Sequence, residues 1–218
     1  MVHGIGRLPA RSFRPHDTVI SIPSRFKAEA PAMRFRGRPV LAFFAGSPNS
    51  CARRRVLALY EGAPGFDVSS RIRNSSEYRR RMLRSRFCLV LRGSSHTNSV
   101  RLYDVIAHGC VPVVVSDDFH PPLDRWLPWR DIAVFLPSSS IPRLGQILRR
   151  EVGEDRRWRL FRNLVLGDGD GRAPASEAWE EPRWGGLSAA SVLDWDRGEF
   201  WLLFLHDLAR KLEARLAE

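Results

Sequence analysis

Residues 93–104, Gly-Ser-Ser-His-Thr-Asn-Ser-Val-Arg-Leu-Tyr-Asp, carry side chains whose types and spacing suit an anion with a hydroxyl-bearing neighbour. Gly93 lets a ligand approach the backbone, and Ser94, Ser95, Thr97 and Ser99 offer hydroxyls. A helix starting near Ser99 would present free N–H groups to a negative charge. Arg101, in its first turn, can grip a phosphate in a bidentate way. Asp104, three residues on, shares that helix face and can accept hydrogen bonds from a ribose or sugar hydroxyl. The combined chemistry is nucleotide binding, without a Walker loop or a GxGxxG fingerprint. A plainer reading stands beside it on spacing alone, with Ser99 as a helix cap and Arg101 and Asp104 as an i,i+3 ion pair.

Other polar clusters point less far. Ser116-Asp117-Asp118-Phe119 has the aspartate pair of a metal–nucleotide site, but it ends a strand and a Pro-Pro turn follows. Asp168-Gly169-Asp170-Gly171 is half of a calcium loop without the later ligands, and reads as a turn. His96 sits in the hydroxyl-rich loop, able to meet a phosphate or act as a base. His108 and His120 read as a helix-end and a loop residue. The Trp126/Trp129 segment reads as packing over a sheet edge.

Strands and helices must position the loop, and the apolar pattern supplies them. Residues 39–44, 86–91, 110–115 and 131–136 are continuous apolar runs, with shorter strand candidates at 18–22 and 66–68. Between them lie helices: 51–62, ended by Gly62; a helix capped by Asn74 with Glu77 three residues on; 99–108, closed by Gly109; and a helix from Ser139, with Pro142 near its first turn. Alternating strands and helices, with strands apolar throughout, predict an α/β fold with a doubly wound parallel sheet covered on both faces. The expected organisation is a short N-terminal segment (1–38), one α/β domain (39–166), a Gly-, Ala- and Pro-rich linker (167–196) and an amphipathic C-terminal helix (197–218).

The formal net charge is +11, and only Lys27 and Lys211 are lysine, so the excess is nearly all arginine. Such a surface favours anionic partners: nucleotide phosphates, acidic polysaccharide or nucleic acid. The arginines spread over most segments instead of clustering, which argues against nucleic acid as the partner. Cys51, Cys88 and Cys110 form no CxxC pair. Cys88 and Cys110 fall in two strand candidates, and whether they bridge depends on whether those strands are neighbours. No apolar run approaches the ~20 residues of a membrane span, and residues 1–13 lack a signal-peptide core.

Residues 84–136 resemble the signature region of the exostosin-like glycosyltransferases. The shared features are Ser85, Phe87, Cys88 and Leu89, the glycine loop, Ser99, Arg101 and Leu102 with Asp104 after them, and Gly109-Cys110-Val111-Pro112-Val113 followed by Ser116-Asp117. Upstream, His16–Pro23 and Arg38–Gly46 resemble the family's first strands, so the likeness covers roughly residues 16–150. It implies the donor-binding, Rossmann-like half of a GT-B enzyme. The reaction implied is transfer of a sugar from a nucleotide sugar, such as a UDP-sugar, to a glycan acceptor with inversion. Ser99, Arg101 and Asp104 would lie at the donor nucleotide, with Gly93 and Ser94 in its loop. Gly46 and one of Arg53 or Arg54 would approach the diphosphate. No resident cofactor is implied, and a divalent metal stays open. The partners implied are donor, acceptor and a second transferase subunit, in the Golgi lumen. The family's proline before the glycine is Arg92 here. The family's acceptor-binding half has no counterpart in the first 38 residues, so a truncated form is expected. The alternatives are a non-catalytic exostosin-like subunit and an arginine-rich nucleic-acid-binding protein.

Overall fold

The computed structural model describes residues 37–93, 100–122, 127 and 129–154, together with 2–3, 18–19, 205 and 209–210. Two short strands, β1 (Val2–His3) and β2 (Thr18–Val19), pair in parallel. The main body is β3 (Val40–Ala45), α1 (Cys51–Tyr60), β4 (Phe66–Ser69), α2 (Ser75–Leu83), β5 (Ser85–Leu91), α3 (Val100–Ala107), β6 (Val111–Val115), α4 (Trp129–Ile132), β7 (Val134–Leu136), a 3-10 helix (Ser138–Arg143) and α5 (Leu144–Glu154).

The five strands β3–β7 form one sheet in the order β4-β3-β5-β6-β7, and every pairing is parallel. Leu41–Ala45, Phe87–Leu91 and Val111–Val115 are buried throughout, as a sheet covered on both faces requires. Successive residues of β3 face opposite layers. Phe43 meets Tyr78 and Arg81 of α2, whereas Phe44 lies under Arg53 of α1. The α1 layer continues into the 3-10 helix, where the Tyr60 hydroxyl donates to the Ile141 carbonyl at 2.7 Å. The expected neighbours β5 and β6 are joined through α3, with Phe87 opposite Val111 and Leu91 opposite Val115. Pro112 is tolerated in β6 because β7 pairs only from Val113 onward, so no ladder on that side needs its N–H.

Local chemistry sets the boundaries. Asn74 caps α2 by accepting from the Glu77 N–H at 2.9 Å, and the Glu77 carboxylate accepts from the Arg73 N–H at 3.1 Å. Gly109, at φ 61°, closes α3 while Cys110 N–H bonds the Val105 carbonyl at 2.9 Å. Cys88 and Cys110 are bridged, with Cα atoms 5.8 Å apart. Arg38 is fully buried below the sheet, donating to the carbonyls of Ser85 (2.8 Å) and His108 (3.3 Å), and burial lowers its guanidinium to about 10.

Two expectations need correction. Residues 131–136 are not one strand: Asp131 and Ile132 belong to the helical turn α4, and only Val134–Leu136 pair with β6. The Trp129 indole N–H donates to the Pro122 carbonyl at 2.7 Å, and the Ala133 N–H bonds the Trp129 carbonyl at 2.9 Å. Both bonds favour a turn over extended chain. Pro142 does not open an α-helix but lies inside the 3-10 helix that precedes α5. The expected linker 167–196 lies outside the described residues, as does most of the helix 197–218.

Candidate functional site

The chain runs from β3 outward to β4, returns to β5 on the other side of β3, and then proceeds to β6 and β7. The sheet therefore reverses its winding between β3 and β5, where open α/β sheets leave a crevice at their carboxyl ends. A cleft of about 600 Å³ opens there. Its walls come from four places: Ala45 at the end of β3 with Gly46, Arg53 of α1, Ile72–Ser75 and Tyr78 around the start of α2, and Val100, Arg101 and Asp104 of α3.

The two ends of the crevice are tied together through Ser50. Its hydroxyl donates to the Arg92 carbonyl after β5 at 2.8 Å and accepts the Arg53 N–H, at 3.3 Å, as the cap of α1. This fixes where Arg53 enters. The Arg53 guanidinium then donates to the carbonyls of Ser47 (3.5 Å) and Leu91 (3.4 Å), and its Cζ lies 5.7 Å from the Phe44 ring centre. Arg101 arrives from α3. It donates to the Ala45 carbonyl at 2.5 Å, with Cζ 4.9 Å from the same Phe44 ring and 5.6 Å from Tyr78.

Two guanidiniums thus converge over the end of β3. Among the described residues neither has a carboxylate partner; each bonds only carbonyl oxygens. The expected alternative of an Arg101–Asp104 ion pair is not what the structure has. Burial lowers the Arg53 guanidinium, and Arg101 nearby lowers it further. A dianion would relieve that repulsion, which makes the cleft electrostatically suited to a diphosphate. Asp104 is 6% exposed on the same wall. Burial pushes the Tyr78 phenol up; Arg101 and Arg53 act against this and Asp104 with it.

The sequence model of the exostosin GT47 domain matches residues 8–150. The chain belongs to the exostosin GT47 family. It is 34% identical to a probable glucuronosyltransferase of Oryza sativa subsp. japonica over 114 residues, 51% of this chain and 26% of that protein. It is 30% identical to a probable glycosyltransferase of Arabidopsis thaliana over 129 residues, 59% of this chain and 24% of that protein. A probable beta-1,4-xylosyltransferase of Arabidopsis thaliana is 35% identical over 97 residues, 44% of this chain and 23% of that protein. The chain spans about a quarter of the length of these relatives.

Of the residues that the exostosin pattern singles out, Gly46, Arg53, Arg101 and Asp104 come together in the cleft. The basic run of α1 divides. Arg53 lines the cleft, whereas Arg54 is exposed and donates to the Pro48 carbonyl at 3.3 Å. Gly93 follows β5 and does not line the cleft. Ser94, His96 and Ser99 lie outside the described residues, as do Trp126 and residues 168–171. Arg92, at the family's proline position, pairs with Asp118 at 2.9 Å; Asp118 in turn accepts from the Ser116 hydroxyl at 2.8 Å. Asp117 accepts the Ser138 N–H at 2.8 Å, which holds its carboxyl below the usual range. The aspartate pair thus tethers neighbouring loops.

Sequence reasoning missed the whole β4–α2 wall, from Ile72 to Tyr78. The signal available was the capping pair Asn74 and Glu77. It marks a helix N-terminus after β4; that this end lies beside the end of β3 follows only from the strand order.

Proposed function

We propose that this chain is the donor-binding half of an inverting glycosyltransferase, holding a nucleotide-diphosphate sugar at the carboxyl ends of β3 and β5. The observation that carries this reading is the convergence of Arg53 and Arg101 on Phe44 with carbonyl partners only. Family membership supplies the reaction class, and the names of the relatives make a uronosyl or pentosyl donor the first to try.

In the proposed reaction an acceptor hydroxyl attacks the anomeric carbon from the face opposite the diphosphate. The glycosidic bond forms as the bond to the diphosphate oxygen breaks, and the acceptor proton passes to a base. Negative charge builds on the departing diphosphate, and preformed donors aimed at it lower the barrier. Arg53 and Arg101 are those donors. Asp104 would accept from a donor hydroxyl. No cleft residue is assigned as the base, and no metal enters the scheme.

The Cys88–Cys110 bridge fits an oxidising compartment, which supports the Golgi lumen as the place of action. Among the described residues, no helix is long and apolar enough to cross a membrane. A second transferase subunit that supplies acceptor contacts is part of the proposal.

Titration calorimetry with UDP tests the site. Arg101→Ala should weaken binding by about 1.5–3 kcal/mol, the range for a hydrogen bond to a charged group. Equal affinity of the two proteins removes Arg101 from the site and the reading with it.

A further inference from the structure

Arg101 reaches the cleft from α3, yet what keeps its guanidinium in place belongs to β3 and α2. Phe44 lies beneath it, the Ala45 carbonyl accepts from it, and Tyr78 of α2 stands beside it with its ring centre 5.6 Å from Cζ. Gly46 completes the slot: a Cβ there would lie 3.0 Å from the Arg101 Nη2. Tyr78 is itself fixed by its contact with Phe43, at 5.6 Å between ring centres and 57° between planes. Arginine side chains lose much rotamer freedom when they bind an anion, so a slot that orders one beforehand raises affinity. A guanidinium over an aromatic face is attracted to it as well.

We propose that Tyr78 is a positioning residue of the anion site: its ring closes the slot that holds the Arg101 guanidinium ready for the donor diphosphate. The inference rests on the donor reading above, and it assigns α2 a part in donor binding through Arg101. The role belongs to the ring, so phenylalanine should perform it. A phenol is neutral at neutral pH and burial pushes its ionisation higher still, so Tyr78 sets no negative charge beside the incoming anion. Leucine would fill much of the volume without offering a π face.

The test uses the full chain and a double-mutant cycle read by UDP affinity, with inorganic pyrophosphate as a second probe. Tyr78→Leu should weaken both probes about 5- to 10-fold, while Tyr78→Phe stays within about twofold of wild type. In an Arg101→Ala background, Tyr78→Leu should cost nothing further, because Tyr78 acts through Arg101. An equal loss in both backgrounds overturns the proposal, and so does a loss in Tyr78→Phe matching that in Tyr78→Leu. A ligand-free readout separates this failure from failure of the donor reading. The Arg101 Nε–H resonance should show the heteronuclear NOE of an ordered side chain in wild type and Tyr78→Phe, and that of a mobile one in Tyr78→Leu. If wild type binds neither probe, the donor reading falls and that resonance alone decides. An Arg101 resonance indifferent to Tyr78→Leu overturns the positioning role.

Discussion

Gly46 shows how one missing side chain shapes the site. It carries no positive φ, so the backbone does not demand glycine there. The demand comes from the side chains around it: a Cβ would meet Arg101 Nη2 at 3.0 Å, Phe44 Cζ at 3.4 Å and Arg53 Nη1 at 3.7 Å. The closest and the farthest of these atoms are tips of flexible arginines, so alanine can be accommodated by moving them. Gly46→Ala should therefore leave unfolding free energy within about 0.5 kcal/mol of wild type. UDP affinity should fall about 5- to 50-fold, since the arginine moved is charged and hydrogen-bonded. Denaturant unfolding and calorimetry on one preparation check both halves, and a large loss of stability with unchanged affinity would refute the argument. Arg101 and Asp104 were legible from their spacing and the family motif, Gly46 from the motif, and Arg53 only as one of Arg53 and Arg54. Tyr78 was not. In Ser-Glu-Tyr-Arg-Arg-Arg-Met-Leu it looks like the apolar side of a basic surface helix, and nothing local says that α2 leans over the end of β3. That fact needs the strand order.

The elements around the cleft depend on the unit β5–α3–β6. The bridge between Cys88 and Cys110 spans 22 positions and encloses Arg92, Gly93, Arg101 and Asp104. It ties the middle of β5 to the turn after α3, so both ends of the site-bearing segment are anchored in the core. By the chain-entropy account, closing a loop of this size stabilises the fold by about 3 kcal/mol. Replacing both cysteines with alanine should lower unfolding free energy by about that amount, read from urea melts with the slope fitted for each protein. An unchanged value would mean that packing alone holds α3. The strands were legible as continuous apolar runs, since a parallel sheet buries both faces and needs no alternation. The bridge was not, because it required knowing that β5 and β6 are neighbours. Residues 131–136 misled for a related reason: Ile132 and Ala133 are as buried as strand residues, yet Ile132 packs from a helical turn and the Ala133 N–H bonds back to it at Trp129. Apolarity reports burial and leaves backbone conformation open.

At the scale of the molecule, the chain's charge and its family set the last expectation. A net charge of +11 draws anionic ligands toward the cleft and makes their capture salt-dependent. Capture is only part of transfer, however. Much of a transferase's acceleration comes from holding donor and acceptor in one reactive geometry. The five-stranded sheet carries a crevice walled by Arg53, Tyr78, Arg101 and Asp104, which the proposal fills with the donor. The relatives it matches are about four times longer than the matched stretch, leaving ample chain in them for acceptor contacts. These 218 residues, purified by themselves, should therefore bind UDP yet transfer sugar poorly. Slow hydrolysis of the donor should be the main turnover, because water needs no acceptor site. The check is incubation with UDP-glucuronate and UDP-xylose, each with and without oligosaccharide acceptors, following UDP release and glycan product separately. UDP release that acceptors do not accelerate agrees with a donor half acting alone. Robust transfer without a partner protein would place the acceptor site within these residues and overturn the division of labour proposed here.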